Sequence, residues 1–115
     1  MRISGDQVYR DEFGYISHDG ALYTGEVEEY AENGQLVELS TYYEGIENGL
    51  QQEWWPNGNK RAEGVTKMGS AVGEWRYWHE NGQMSEQVVL DADGQEMTRK
   101  RWNAAGDLTK DVKIR

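Results

Sequence analysis

The chain has no cysteine, one proline, one phenylalanine and no long apolar run. Without cysteine there is no disulfide framework, no thiolate zinc site and no catalytic thiol, so stability does not depend on a redox compartment. No segment approaches the roughly 18–20 apolar residues of a membrane span, and the start MRISGDQVYRDEF holds no apolar signal-peptide core. The expected location is the cytoplasm. Aliphatic residues are scarce as well: Leu, Ile, Val and Phe make up 19 of 115 residues. A chain that also carries a net charge of -9 would usually be disordered at that level. Net negative charge further disfavours phosphate backbones and anionic lipid, so neither nucleic acid nor membrane is an expected partner.

Five Trp and seven Tyr stand against disorder. Each ring buries roughly 150–250 Å², which replaces much of the missing aliphatic core. Their placement is periodic. Gly34, Gly58, Gly82 and Gly106 recur every 24 residues, and Tyr30, Trp54, Trp78 and Trp102 keep the same interval. Gly25, Gly49 and Gly73 follow it too, until Met97 breaks the series. The chain therefore reads as a single repeat domain over 1–115. It divides into a half unit at about 13–24, repeats at about 25–48, 49–72 and 73–96, and a degenerate cap at 97–115.

Each unit reads as a β-hairpin. Asn33-Gly34, Asn57-Gly58 and Asn81-Gly82 suit the two central positions of a type I′ turn, because Asn and Gly tolerate positive φ best. The flanks EVEEYA, QQEWW, EWRYWH and QMSEQVVL are aromatic and β-branched, as strands require. Nothing comparable shows helical spacing with a capping signal. The expected fold is all-β: tandem hairpins in a single meandering antiparallel sheet, with little or no helix. If the Asn-Gly pairs fill two-residue turns, Tyr30, Trp54, Trp78 and Trp102 share one face and stack along the repeat. Tyr42, Trp55, Trp75 and Tyr77 then take the other face. A lone sheet has no second layer to cover either side, and its open edges leave self-association available.

The unit seen best as Gly73-Glu74-Trp75-Arg76-Tyr77-Trp78-His79-Glu80-Asn81-Gly82-Gln83 resembles the variant MORN repeat of the YwqK-type antitoxin family. The resemblance covers roughly residues 13–115. It implies a MORN-type hairpin sheet and a role in neutralising a toxin made by the same bacterium. It supplies no catalytic or ligand residue to carry over.

Charge is uneven along the chain. Residues 1–50 hold eleven acidic side chains against Arg2 and Arg10, whereas residues 51–115 hold ten of each sign. In a linear stack this makes one acidic end, which would steer and orient a basic partner. Glu26, Glu28, Glu29, Glu32, Glu38, Glu44 and Glu47, interspersed with Tyr30, Tyr42 and Tyr43, form the candidate partner-binding surface. The expected partner is a cognate toxin with a basic active-site surface, bound stoichiometrically. Competing readings are an aromatic-cage module for choline or carbohydrate and a MORN-type structural scaffold.

No enzyme chemistry is expected. His18 and His79 lie outside any motif with a nucleophile, and two histidines are too few for a His-only zinc site. Asp91-Ala92-Asp93-Gly94 with Glu96 lacks the twelve-residue calcium pattern and reads as a turn. Phosphate-loop, nucleophile-elbow and dinucleotide signatures are absent, so no cofactor or metal is expected. Arg99-Lys100-Arg101 beside Trp102 has some nucleic-acid character, but it reads as a solvated edge that discourages sheet-to-sheet aggregation.

Overall fold

The computed structural model describes residues 1–114; Arg115, the last residue of the expected cap, lies outside the described residues. Twelve strands follow one another: β1 (Arg2–Ser4), β2 (Tyr9–Arg10), β3 (Ile16–His18), β4 (Ala21–Leu22), β5 (Gly25–Tyr30), β6 (Leu36–Tyr43), β7 (Ile46–Trp54), β8 (Lys60–Lys67), β9 (Ser70–Trp78), β10 (Met84–Leu90), β11 (Glu96–Trp102) and β12 (Leu108–Lys113). One 3-10 turn, Gly5–Gln7, follows β1. Strands β5 to β12 meander in chain order as one antiparallel sheet, and β1 adds a parallel strand beside β5. The all-β hairpin meander read from the repeat is the architecture observed.

The turns are distributed differently from the expectation. At Asn33-Gly34 the chain is closed by Ala31 N–H to Gln35 C=O at 2.9 Å, with Gly34 N–H to Ala31 C=O at 2.9 Å. That leaves three residues in the loop, a type I turn followed by a left-handed glycine. Trp55, His79 and Asn103 close the Gly58, Gly82 and Gly106 turns in the same way. Only the glycine needs positive φ there, 87°, 93°, 90° and 94° in turn. Two-residue turns with positive φ at both positions occur instead at Asp19-Gly20, Glu44-Gly45 and Met68-Gly69. The extra loop residue frees Asn for a different task. Asn33, Asn57 and Asn81 each accept the N–H two residues on, then donate Nδ2 to a carbonyl of the next repeat's turn, at 2.9, 3.0 and 2.8 Å.

Cross-strand partners carry Val27, Ser40, Gln51 and Gly64 onto one face, here the inner face. Tyr42, Trp75 and Tyr77 share it by strand alternation. Trp75 lies flat over Gly64, where an added Cβ would meet the indole at 2.0 Å, and its ring stacks on Tyr77 at 6.4 Å between centroids. On the opposite, outer face sit Tyr30, Trp54, Trp78 and Trp102, but among the described residues no ring contact joins them. One repeat advances two strands, or ~9.6 Å at the usual strand spacing, which exceeds the reach of ring stacking. Trp54 instead takes the Lys60 ammonium at 5.4 Å from its ring centroid.

The lone-sheet expectation fails at the acidic end. Strands β2, β3 and β4 form a second, three-stranded sheet that lies against the inner face of β1, β5 and β6. Ile16 and Tyr23 from this layer pack with Ile3, Val27 and Tyr42 into the main buried cluster. Ile16 N–H reaches the Gly45 carbonyl at 3.0 Å and Gly45 N–H reaches the Tyr23 carbonyl at 2.8 Å, so the layer is stitched to the β6–β7 turn. Gly45 combines φ of +81° with the Ile16 carbonyl 2.8 Å from where a Cβ would sit. The overlying segment is itself a shortened unit. Asp11 to Tyr15 repeats the three-residue turn with Gly14 at φ 87°, and Gly14 precedes Gly34 by 20 residues rather than 24. Its strands pair with one another rather than with the main sheet, and the chain folds back over the inner face.

Candidate interaction face

One row of partners crosses the inner face from β5 to β12: Glu29, Glu38, Glu53, Ala62, Tyr77, Glu86, Arg101 and Lys110. Three carboxylates stand side by side at one end and two cations at the other. Like charges directly opposite on a sheet destabilise it. Glu38 is bonded by the Ser40 hydroxyl at 3.1 Å, and no lysine or arginine among the described residues lies within salt-bridge range of it. At the far end, by contrast, Arg99 and Arg101 clamp Glu86 at 2.6 and 2.5 Å, and Arg99 also holds Glu96 at 2.5 Å.

Beside the acidic end of this row the β2–β3 turn overhangs the sheet and borders an open cavity of about 330 Å³. Arg10, Phe13 and Tyr15 face Tyr42, Glu47 and Met68 across it. Glu47 is half-buried, and burial, with Glu38 and Glu53 nearby, pushes its carboxyl above the ordinary value against the pull of Arg10. Burial raises the Tyr42 hydroxyl too, with Arg10 opposing. Arg10 is held charged chiefly by the Tyr42 hydroxyl, then by Glu47 and Glu38. Glu47 and Glu38 therefore share one guanidinium, and Glu53 adds its charge beside Glu47. Next to them Gln51, buried on the same face, donates Nε2 to the Thr41 carbonyl and the Thr66 hydroxyl, both at 3.0 Å, while its Oε1 accepts nothing from the described residues.

The candidate residues read from the sequence do not share one surface. Glu29, Glu38, Tyr42 and Glu47 lie on the inner face, and Glu26, Glu28 and Tyr30 on the outer. Glu26 and Glu28 pair with Arg2 at 3.2 and 3.9 Å, and the Glu28 carboxylate raises the Tyr30 hydroxyl by hydrogen bonding. Glu32 and Glu44 occupy turns at opposite ends of β6, and Tyr43 is exposed beside the second of them. Glu53 was missed because it falls in the electrically neutral half of the chain; its signal is the register that sets it opposite Glu38.

Other sequence features take structural roles. His79 places Nε2 2.9 Å from the Trp102 carbonyl, repeating the bond of 3.1 Å from Trp55 Nε1 to the Trp78 carbonyl one unit earlier. A carbonyl only accepts, so the proton sits on Nε2. The Asp91 segment is a turn, its Oδ1 taken up by the N–H groups of Asp93 and Gln95 at 2.9 Å each. Arg99, Lys100 and Arg101 are not on an edge: β11 lies between β10 and β12, and the two arginines are engaged by Glu86 and Glu96. Among the described residues no helix is long and apolar enough to cross a membrane, and no group of three His, Asp or Glu side chains is placed to hold a metal.

A meander of hairpins joined turn to turn by Asn and ring N–H bonds at a fixed interval defines a β-hairpin repeat protein. Residues 23–43, 47–67 and 71–90 match the family model described as MORN repeat variant, which is more than half of the chain, and the chain belongs to that family. Each match spans two strands and one Asn-Gly turn. No curated protein and no solved structure matches the chain at a significant level. Repeats of this kind suggest a repeat-based interaction scaffold.

Proposed function

We propose that this scaffold is an antitoxin, an immunity protein that neutralises a cognate bacterial toxin by stoichiometric binding through the acidic, aromatic inner face. The observation that carries the reading is the row Glu29, Glu38 and Glu53 with Glu47 beside it, where repulsive carboxylates outnumber the nearby cation Arg10. Such a cost to stability is repaid on binding a basic surface. If the toxin acts on a polyanion, its substrate channel is basic and the row mimics the substrate's charge. Binding alone suffices for this action, with no cofactor.

Co-expression with the product of the adjacent open reading frame tests the reading. A toxic neighbour that co-purifies in a one-to-one complex and becomes harmless supports it; a harmless neighbour that fails to bind counts against it. Charge reversal locates the surface. Glu38→Lys with Glu53→Lys should weaken the complex at low salt by at least about tenfold, as lost close charge pairs do. Glu28→Lys on the outer face should leave it nearly unchanged.

A further inference from the structure

We propose that the cavity between the β2–β3 turn and the inner face receives a guanidinium group, an arginine side chain presented by a basic protein partner. The inference takes the partner's identity as a toxin from the reading above, and rests on the cavity itself for the guanidinium.

The volume, about 330 Å³, is at the small end of ligand sites, which run from about 300 to 1,000 Å³. It suits one side chain. Phe13 and Tyr15 line it from the overhanging turn and Tyr42 from the sheet, while Met68 closes the far rim. Phe13 remains 77% exposed and Met68 59% exposed, so neither is consumed by the protein's own core. Ring faces and a mobile thioether accept a flat cation well. Glu47 stands at the polar end, backed by Glu38 and Glu53.

The chain supplies its own template for the occupant. Arg10 lines the cavity with Tyr42 and Glu47, its guanidinium donating to the Gly14 carbonyl at 3.3 Å. One guanidinium against Glu47 and Glu38, with Glu53 beside Glu47, leaves negative charge for a second cation. Between the two basic side chains, arginine fits better than lysine. Its plane stacks on rings, its fork meets a carboxylate with two N–H groups, and it is less strongly hydrated than an ammonium. The cavity is open to solvent at the acidic end of the same row that the partner is proposed to cover, so a chain laid along Glu38 and Glu53 can turn one side chain into it.

The test uses the full chain and small probes, so that it does not depend on the toxin. Methylguanidinium, tetramethylammonium and neutral urea are titrated at low salt while the Met68 methyl and the Phe13 and Tyr15 ring signals are followed by NMR. Methylguanidinium should shift these signals saturably and urea should not. Glu47→Gln should weaken the interaction by at least about fivefold, a loss expected for one charge-assisted contact, while Glu28→Gln leaves it unchanged. The proposal is overturned if methylguanidinium gives no saturable shift, or if the two variants behave alike. Tetramethylammonium binding without methylguanidinium binding also overturns it, in favour of a small quaternary ligand. If methylguanidinium binds but the neighbouring gene product does not, the antitoxin reading fails and the guanidinium site stands; a tight toxin complex with a silent cavity gives the reverse.

Discussion

Asn57 serves two turns at once. Its Oδ1 accepts the Asn59 N–H at 2.9 Å within its own turn, and its Nδ2 donates to the Glu80 carbonyl at 3.0 Å in the next. Asn57→Ser keeps a short acceptor for the local bond but cannot span to Glu80. It should cost about 0.5–1.5 kcal/mol, the worth of one net hydrogen bond. Asn57→Ala loses both and should cost more; urea midpoints of the two variants separate the terms. Glu47 illustrates the opposite economy. Its folded carboxyl titrates above the ordinary value, so ionisation opposes folding at neutral pH and the penalty disappears as pH falls through that raised value. Glu47→Gln should therefore stabilise the protein at pH 7 and give no gain below the ordinary carboxylate range. A urea titration at both pH values measures this. The recurring Asn-Gly pairs were legible in the sequence, but the reach of Asn Nδ2 into the next unit was not, since it depends on how closely successive turns approach.

At the scale of the hairpin, residue count decides the turn. Asn-Gly is favourable in a two-residue loop, yet the strand partners Tyr30 with Leu36 and Trp54 with Lys60 place the closing residues one step further out. The chain then needs only one positive φ per turn, which glycine alone supplies. Gly45 and Gly69 mark returns between hairpins in the sequence, but the positive φ of Glu44 and Met68 does not show there, because Glu and Met are poor indicators of it. Hairpin β10–β11 carries the main ion-pair network. Burial pushes the Glu86 carboxyl up, but hydrogen bonds from Arg101 and Arg99 together outweigh it and hold it below the ordinary value. Arg99 likewise lowers Glu96. Stability from lowered carboxyls is complete above the ordinary carboxylate value and is lost as pH falls through the lowered one. Urea midpoints should accordingly decline below about pH 4.3. In Arg99→Gln the midpoint at neutral pH should be lower and the acid decline shallower.

Over the whole molecule, 48 Å in its longest dimension, the two ends differ in charge. The row from Glu29 to Lys110 converts a count along the sequence into a gradient across a face. Association with a basic partner should be steered by it. Raising ionic strength from about 0.01 to 0.15 M shortens the screening length from about 30 to 8 Å, so the association rate should fall by at least about tenfold while dissociation changes little. Stopped-flow mixing at two salt concentrations measures both.

Composition, the 24-residue interval and the Asn-Gly pairs determined that this chain is a stack of β-hairpins with an acidic end, because strand alternation and turn chemistry are local. Tertiary structure decided which acids belong together. Neighbours such as Glu28 and Glu29 point to opposite faces, whereas Glu38 and Glu53, fifteen positions apart, stand side by side through register. It also decided that the shortened first unit turns back over the inner face. Only that fold brings Arg10 and Phe13 to Glu47 and makes a cavity of the acidic end.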